Sequence, residues 1–256
     1  MSVPSPASRL GAALSFLLAL AAWQGAVWLT GVPVYVLPGP LAIAGAFAAD
    51  DRLLLGALVS TLAVTAMALL ASVVIGVALA VAMAANRWVR AALQPWTVVL
   101  QVTPIVAVAP LIIIWVGNPF AAMVVCATVI AFFPILSNTA AGLNAAPAPL
   151  RDLFRLSGAS IWQEIRLLRL PVALPYFLAG LRVSGGLALV GAVVAEFVTG
   201  AGGFASGLAF RILEAGYRLQ IARMFAALAL LSLAGIVINT ALGWFSAWLL
   251  RRQGAG

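Results

Sequence analysis

Lysine and histidine are absent from this chain of 256 residues; all 14 basic residues are arginine, set against six acidic ones for a net charge of +8. Without lysine there is no P-loop, whose lysine must reach the β- and γ-phosphates, so the chain is not a self-contained ATPase of that type. Without histidine there is no imidazole base, no Ser–His–Asp triad and no histidine metal site. No catalytic, cofactor or metal site is expected. The single cysteine, Cys126, excludes an intrachain disulfide. It lies in an apolar run and reads as a small buried hydrophobe. Charge itself is scarce, at 8% of residues where soluble domains carry about 25%. So few charges do not cover a water-facing surface.

What the chain has instead is apolar length. It is 65% hydrophobic, with mean hydropathy +1.17, and reads as an all-α integral membrane protein. A hydrocarbon core of ~30 Å needs about 20 apolar residues per helix. Six segments qualify: Leu10–Thr30, Leu53–Ala85, Pro95–Val116, Phe120–Ala140, Pro175–Val198 and Ile221–Leu250. The second and sixth exceed the need and must tilt or extend past the membrane. The first resembles a signal peptide as far as Ala21–Ala22, but its apolar run continues to Leu29 and favours an uncleaved anchor. Arginine bias places both termini in the cytoplasm, with Arg9, Arg87, Arg90, Arg151, Arg155, Arg166, Arg169, Arg251 and Arg252 inside. Arg52, Arg211, Arg218 and Arg223 then fall outside, offset by Asp50, Asp51 and Glu214. Arginines spread between spans do not make a nucleic-acid face.

Small residues recur every fourth position at Gly76, Ala80 and Ala84, at Gly180, Ser184 and Ala188, and around Gly235, Asn239 and Gly243. They read as close-packing stripes or as plain alanine-rich composition. The third span holds Pro104 and Pro110 beside Gln101 and Thr103. Its freed carbonyls need partners, in a kink that lines a pathway or one buried against neighbours. The outer loop Thr199–Gln220 opens with Gly200, Gly202, Gly203 and Gly207, then offers Arg211, Glu214 and Arg218 at helical spacing. It is a surface helix for a partner or a solvated face.

One polar island interrupts this pattern, Arg151 to Pro171. Pro147 and Pro149 suit a helix start, and Asp152 in a first turn complements the dipole. Leu150, Leu153 and Phe154 form an apolar face opposite Arg151 and Arg155. Gly158 stops the helix. Ser160 and Gln163 form a capping box for a second short helix, which Pro171 ends before Pro175 opens the next span. A loop that only fixed topology would need the arginines but neither the cap nor the breaks, so a docking element is favoured.

Here the residues resemble a family. Arg155–Ser160, Leu170–Tyr176 and Gly180–Arg182 are similar to the coupling loop of binding-protein-dependent ABC importer permeases, in the nitrate/sulfonate/taurine branch that includes vitamin-precursor permeases. Leu37–Pro40, Pro104 through Gly117 and Gly191–Phe197 resemble further family elements. The family's Glu-Ala-Ala corresponds to Asp152–Leu153–Phe154. The resemblance implies a type I importer permease fold of about six spans in one domain, 1–256, with its core at 53–250 and a coupling loop at 141–174. It implies a bacterial inner-membrane location, an ABC ATPase subunit docked through Asp152, Phe154, Arg155, Gly158, Ala159, Leu170 and Pro171, an external solute-binding protein, and a second permease copy in the lipid. The imported solute would be a sulfonate-, nitrate- or taurine-like anion or a vitamin-precursor heterocycle.

Candidate pathway residues are Gln101, Thr103, Asn138, Arg182 and Glu196, with Ser184 a weaker one. A helical rise of about 1.5 Å per residue puts Arg182 within snorkelling reach of the inner surface and Glu196 near the outer one, so both also read as satisfied interfacial charges. The alternative class, an ion-coupled secondary transporter, needs deep carboxylates or histidines. This chain offers Glu196 alone, at an edge.

Overall fold

A computed structural model describes residues 6–200, 206–252 and 254; among them every regular element is helical. Gly202 and Gly203 of the outer loop, and the Arg9 side chain, lie outside the described residues. Helix α1 spans Pro6–Thr30. The Leu-Pro-Gly-Pro element then opens a short helix, α2 (Pro40–Ala49), because proline suits a first turn. Gln24 of α1 accepts the Leu41 N–H at 3.1 Å, and Gly39 leaves room for that amide.

Among the described residues, helices long and apolar enough to cross a bilayer are α3 (Asp51–Ala85), α6 (Pro119–Asn144), the composite Ile161–Thr199 and α11 (Ile221–Arg252). The expected span Pro95–Val116, read as kinked at its prolines, is broken outright. It divides into α4 (Arg87–Val102) and α5 (Ile105–Val116), bent by 104°. Pro104 lacks an N–H, and Thr103 and Pro104 take extended backbone angles, so the ladder stops there.

The centre of the molecule is the pair α6 and α9 (Leu170–Thr199), with α3 against both. Glycine sets the approach. A Cβ on Gly180 would stand 2.6 Å from the Pro134 carbonyl, one on Gly191 2.8 Å from Ala127 Cα, and one on Gly76 2.7 Å from Ile135. Ser184 donates to the Ala131 carbonyl at 2.6 Å, so the Gly180–Ser184–Ala188 stripe is a helix contact. The α11 stripe is looser: Gly235 faces Leu189 and Gly243 faces Arg182 of α9, while Asn239 between them is exposed. The closest approach there comes from α9, with Gly185 seating Leu242.

The basic island occupies one end of the bundle. Arg90 reaches Asn144 at 2.8 Å and Arg169 reaches the Ala84 carbonyl at 3.4 Å, so the ends of α3, α6 and α9 meet there. At the opposite end Arg223 pairs with Asp50 at 3.2 Å, beneath α10 (Leu208–Tyr217).

Candidate functional site

The island folds as a free-standing helix joined to a long one. Helix α7 (Ala148–Leu156) has no buried residue. It begins at Ala148, so Asp152 falls in the second turn and not the first as expected; there it pairs with Arg155 at 3.7 Å. The apolar face also differs. Phe154 is half-buried, while Leu150, Leu153 and Leu156 are exposed, Leu156 to 87%. The i, i+3, i+6 stripe faces away from the protein.

Gly158 ends α7 at φ +72°, a left-handed geometry that favours glycine. Its N–H reaches the Arg155 carbonyl at 3.0 Å, and that of Ala159 reaches Phe154 at 3.0 Å. These are the two bonds of a Schellman stop. Ser160 and Gln163 then form the capping box of α8 (Ile161–Glu164).

Pro171 does not break the chain as expected. After α8 the backbone widens into a π-turn, Ile165–Arg169, and passes into α9 as one helix of 39 residues, Ile161–Thr199. In this turn the Leu170 N–H bonds five residues back, to Ile165. The insertion absorbs the N–H that Pro171 lacks. Wider winding also brings i and i+5 together. Glu164 and Arg169, 4% and 5% exposed, pair with Arg169 Nε at 2.8 Å from Glu164 Oε1. Of the two arginines in this stretch, Arg166 is exposed but Arg169 is buried. The i, i+5 acid–base spacing was the missed signal. Asp152, Phe154 and Arg155 thus lie on α7, Gly158 and Ala159 form the joint, and Leu170 and Pro171 start α9.

The five pathway candidates are not gathered in one place. Gln101 and Thr103 sit at the α4–α5 break, exposed, beside a groove of about 220 Å³ that Phe133 and Pro134 of α6 also line. Asn138 donates to the Pro134 carbonyl at 2.9 Å and stands against Gly180. The half-buried Arg182 lies along Gly243 of α11. Glu196 is buried at the opposite end. It accepts from Thr61 Oγ1 at 2.7 Å and from the Ala209 N–H at 2.9 Å, while Thr61 accepts the Leu208 N–H at 2.9 Å. Gly207 lies directly against its carboxylate with no room for a Cβ. Glu196 therefore holds the first turn of α10, as carboxylates do at helix starts, and its hydrogen bonds are made inside the protein. On α10, Arg211 hydrogen-bonds Glu214 at 2.7 Å and Arg218 reaches it at 3.0 Å. Chiefly through the Arg211 bond, the Glu214 carboxyl is held below its ordinary range.

Comparison with known proteins adds to this geometry. A family model described as "Binding-protein-dependent transport system inner membrane component" matches residues 72–254. The riboflavin transport system permease protein RibX of Chloroflexus aurantiacus is 35% identical, over 94% of this chain and 90% of its own. The formylaminopyrimidine transport permease protein ThiX of Halalkalibacterium halodurans is 32% identical over 88% of both chains. The putative aliphatic sulfonates transport permease protein SsuC of Bacillus subtilis is 30% identical, over 84% and 78%. Among solved structures, an inward-facing MetNI methionine ABC transporter shares the fold, with TM-score 0.67 and 21% identity over 79% of this chain and 97% of that one.

Proposed function

The chain belongs to the family of binding-protein-dependent transport system inner membrane components, and from that membership we propose that it is the permease of an ATP-driven importer, moved by a separate ATPase subunit through α7. The observation that carries this reading is the island's construction. A helix with an exposed leucine stripe ends in a fixed glycine joint and continues into a 39-residue helix that carries a buried ion pair in its first turns. A leucine stripe on a surface helix calls for a partner, and a chain without a P-loop lysine needs one that hydrolyses nucleotide.

In this reading α7 docks on the ATPase, with Asp152, Phe154 and Arg155 on the docking helix, Gly158 and Ala159 at the hinge, and Leu170 and Pro171 at the root. The movement passes along α9 to Gly180, which lies against Pro134 of α6, the wall of the groove at Gln101 and Thr103. Gln101 and Thr103 line the pathway; Asn138, Arg182 and Glu196 hold the helices around it. The arginine-rich island end is cytoplasmic together with both termini. The α10 end meets an external solute-binding protein, and a second copy completes the pathway within the lipid.

Gly158→Val tests this. A β-branched residue at positive φ is a backbone outlier, yet open space surrounds the position, so the spans remain intact. The variant should insert in the membrane and lose both ATPase copurification and ATP-dependent uptake. Retention of both would end the coupling role.

A further inference from the structure

We infer that the crevice between α9 and α11 at Arg182, Asn239 and Gly243 binds an oxyanion that this chain does not supply: a phosphate, sulfonate or carboxylate, carried by a lipid of the leaflet at the island end or by a dissolved molecule. The inference goes beyond the importer reading and does not depend on it.

Helix α11 gives the depth of this crevice. It has 32 residues, roughly 48 Å, against about 40–45 Å for a bilayer with its headgroups. Arg223 near one end and Arg251 with Arg252 at the other therefore bracket one membrane. A Cβ on Gly243 would stand 3.7 Å from the Arg182 guanidinium carbon. Gly243 itself lies nine residues before Arg252, about 13 Å along the helix. The guanidinium is thus below the headgroups at the island end, just inside a hydrocarbon core of ~30 Å. Helix side chains lean toward the helix N-terminus, which for α9 is the island end, so Arg182 is aimed at the nearer headgroups. An arginine keeps its proton in a protein, and a charge at this depth needs a polar cavity or a counter-ion.

The chain does not provide that counter-ion. Arg182 is half-buried and has no hydrogen bond or ion pair among the described residues. All six acidic side chains are engaged elsewhere. Asp50 meets Arg223, Asp152 meets Arg155, Glu164 meets Arg169, and Glu214 meets both Arg211 and Arg218. Glu196 is enclosed with Thr61 and Ala209. Asp51 accepts the Arg52 N–H at the start of α3, the end of the bundle far from Arg182. A second copy related by a two-fold axis along the bilayer normal brings the same six at the same depths. The missing charge therefore comes from another molecule.

The crevice has room and a second donor. Nothing lies within 4 Å of a Cβ on Gly186, one turn along α9 from Arg182. Asn239, one turn along α11 from Gly243, is exposed and has no partner among the described residues. Side chains four apart on a helix stand about 5–6 Å from each other, which places the Asn239 amide within reach of the guanidinium. A guanidinium fork takes two oxygens of a phosphate, sulfonate or carboxylate, and the amide N–H adds a third donor.

The test uses the full-length chain, purified in neutral detergent and stripped of native lipid. It is titrated with phosphatidylglycerol, counted by native mass spectrometry, and separately with inorganic phosphate, followed by equilibrium dialysis. Arg182→Gln should weaken one of these at least tenfold, and Arg182→Lys should recover part of the loss. Asn239→Leu, at an exposed position, should weaken the same probe at least threefold. Loss of phosphatidylglycerol assigns the oxyanion to lipid, and loss of phosphate assigns it to a dissolved molecule. Wild-type affinity for both probes in Arg182→Gln or in Asn239→Leu would overturn the site; if Arg182→Gln does not fold, Asn239→Leu decides alone. Neither readout involves nucleotide, an ATPase or uptake, so failure here is distinct from failure of the importer reading, which the Gly158→Val variant tests.

Discussion

Glu196 shows how a single side chain can organise one end of this molecule. Its two oxygens bind Thr61 and the first turn of α10, so Glu196→Leu strands a backbone N–H and a hydroxyl with no acceptor. A buried unsatisfied group costs about 1–3 kcal/mol, and the thermal midpoint in detergent should fall accordingly. Gly207→Ala should act in the same direction, because its Cβ would enter the carboxylate's space. Glu214 gives a pH signature nearby. Its carboxyl is held below the ordinary range, first by the Arg211 hydrogen bond. A depressed folded value means that the stabilisation is fully present above the unfolded carboxylate range and is lost as pH falls through and below it. Thermal midpoints of wild type and Glu214→Gln should therefore differ at neutral pH and converge as the solution is acidified.

Among the elements, the α6–α9 contact and the π-turn make opposite demands on substitution. Gly180→Ala would press a methyl against the Pro134 carbonyl, 2.6 Å away, and overpacking of this kind costs about 1–3 kcal/mol. Gly186→Ala, six residues along the same helix with nothing within 4 Å, should instead be neutral or gain up to about 1 kcal/mol; midpoints of the two variants side by side decide it. At the π-turn, Arg169→Met leaves Glu164 buried and unpaired, a loss of about 3–5 kcal/mol. Adding Glu164→Leu should recover most of it, since the charge left behind is then removed. A double-mutant comparison of unfolding midpoints measures that recovery. Local cues made some of these elements legible. Gly158 read as a helix stop and Ser160 with Gln163 as a cap, because both signals act within a few residues. The π-turn was not legible, because Pro171 reads as a stop under α-helical bonding and Glu164 and Arg169 become neighbours only when the winding widens. Pro104 marked the α4–α5 break, but its 104° angle depends on packing that no local window contains.

For the molecule as a whole, composition fixed the class before any motif did, since so few charges exclude a water-covered surface. The resemblance then named a family that the comparisons show. The coupling candidates fall on one stretch of chain, from α7 to the first residues of α9, because they are close in sequence. The pathway candidates do not, because Gln101, Asn138, Arg182 and Glu196 belong to helices whose relative rotation the sequence does not encode locally. One consequence reaches from end to end. The composite helix Ile161–Thr199 has 39 residues, roughly 58 Å at about 1.5 Å each, against a hydrocarbon core of ~30 Å. It begins at the island and carries Glu196 near its other end, in contact with α10. A stiff rod of that length acts as a gauge. Seating a partner on α7 should register on the far face, before any solute has moved, as a change in amide exchange at Leu208 and Ala209.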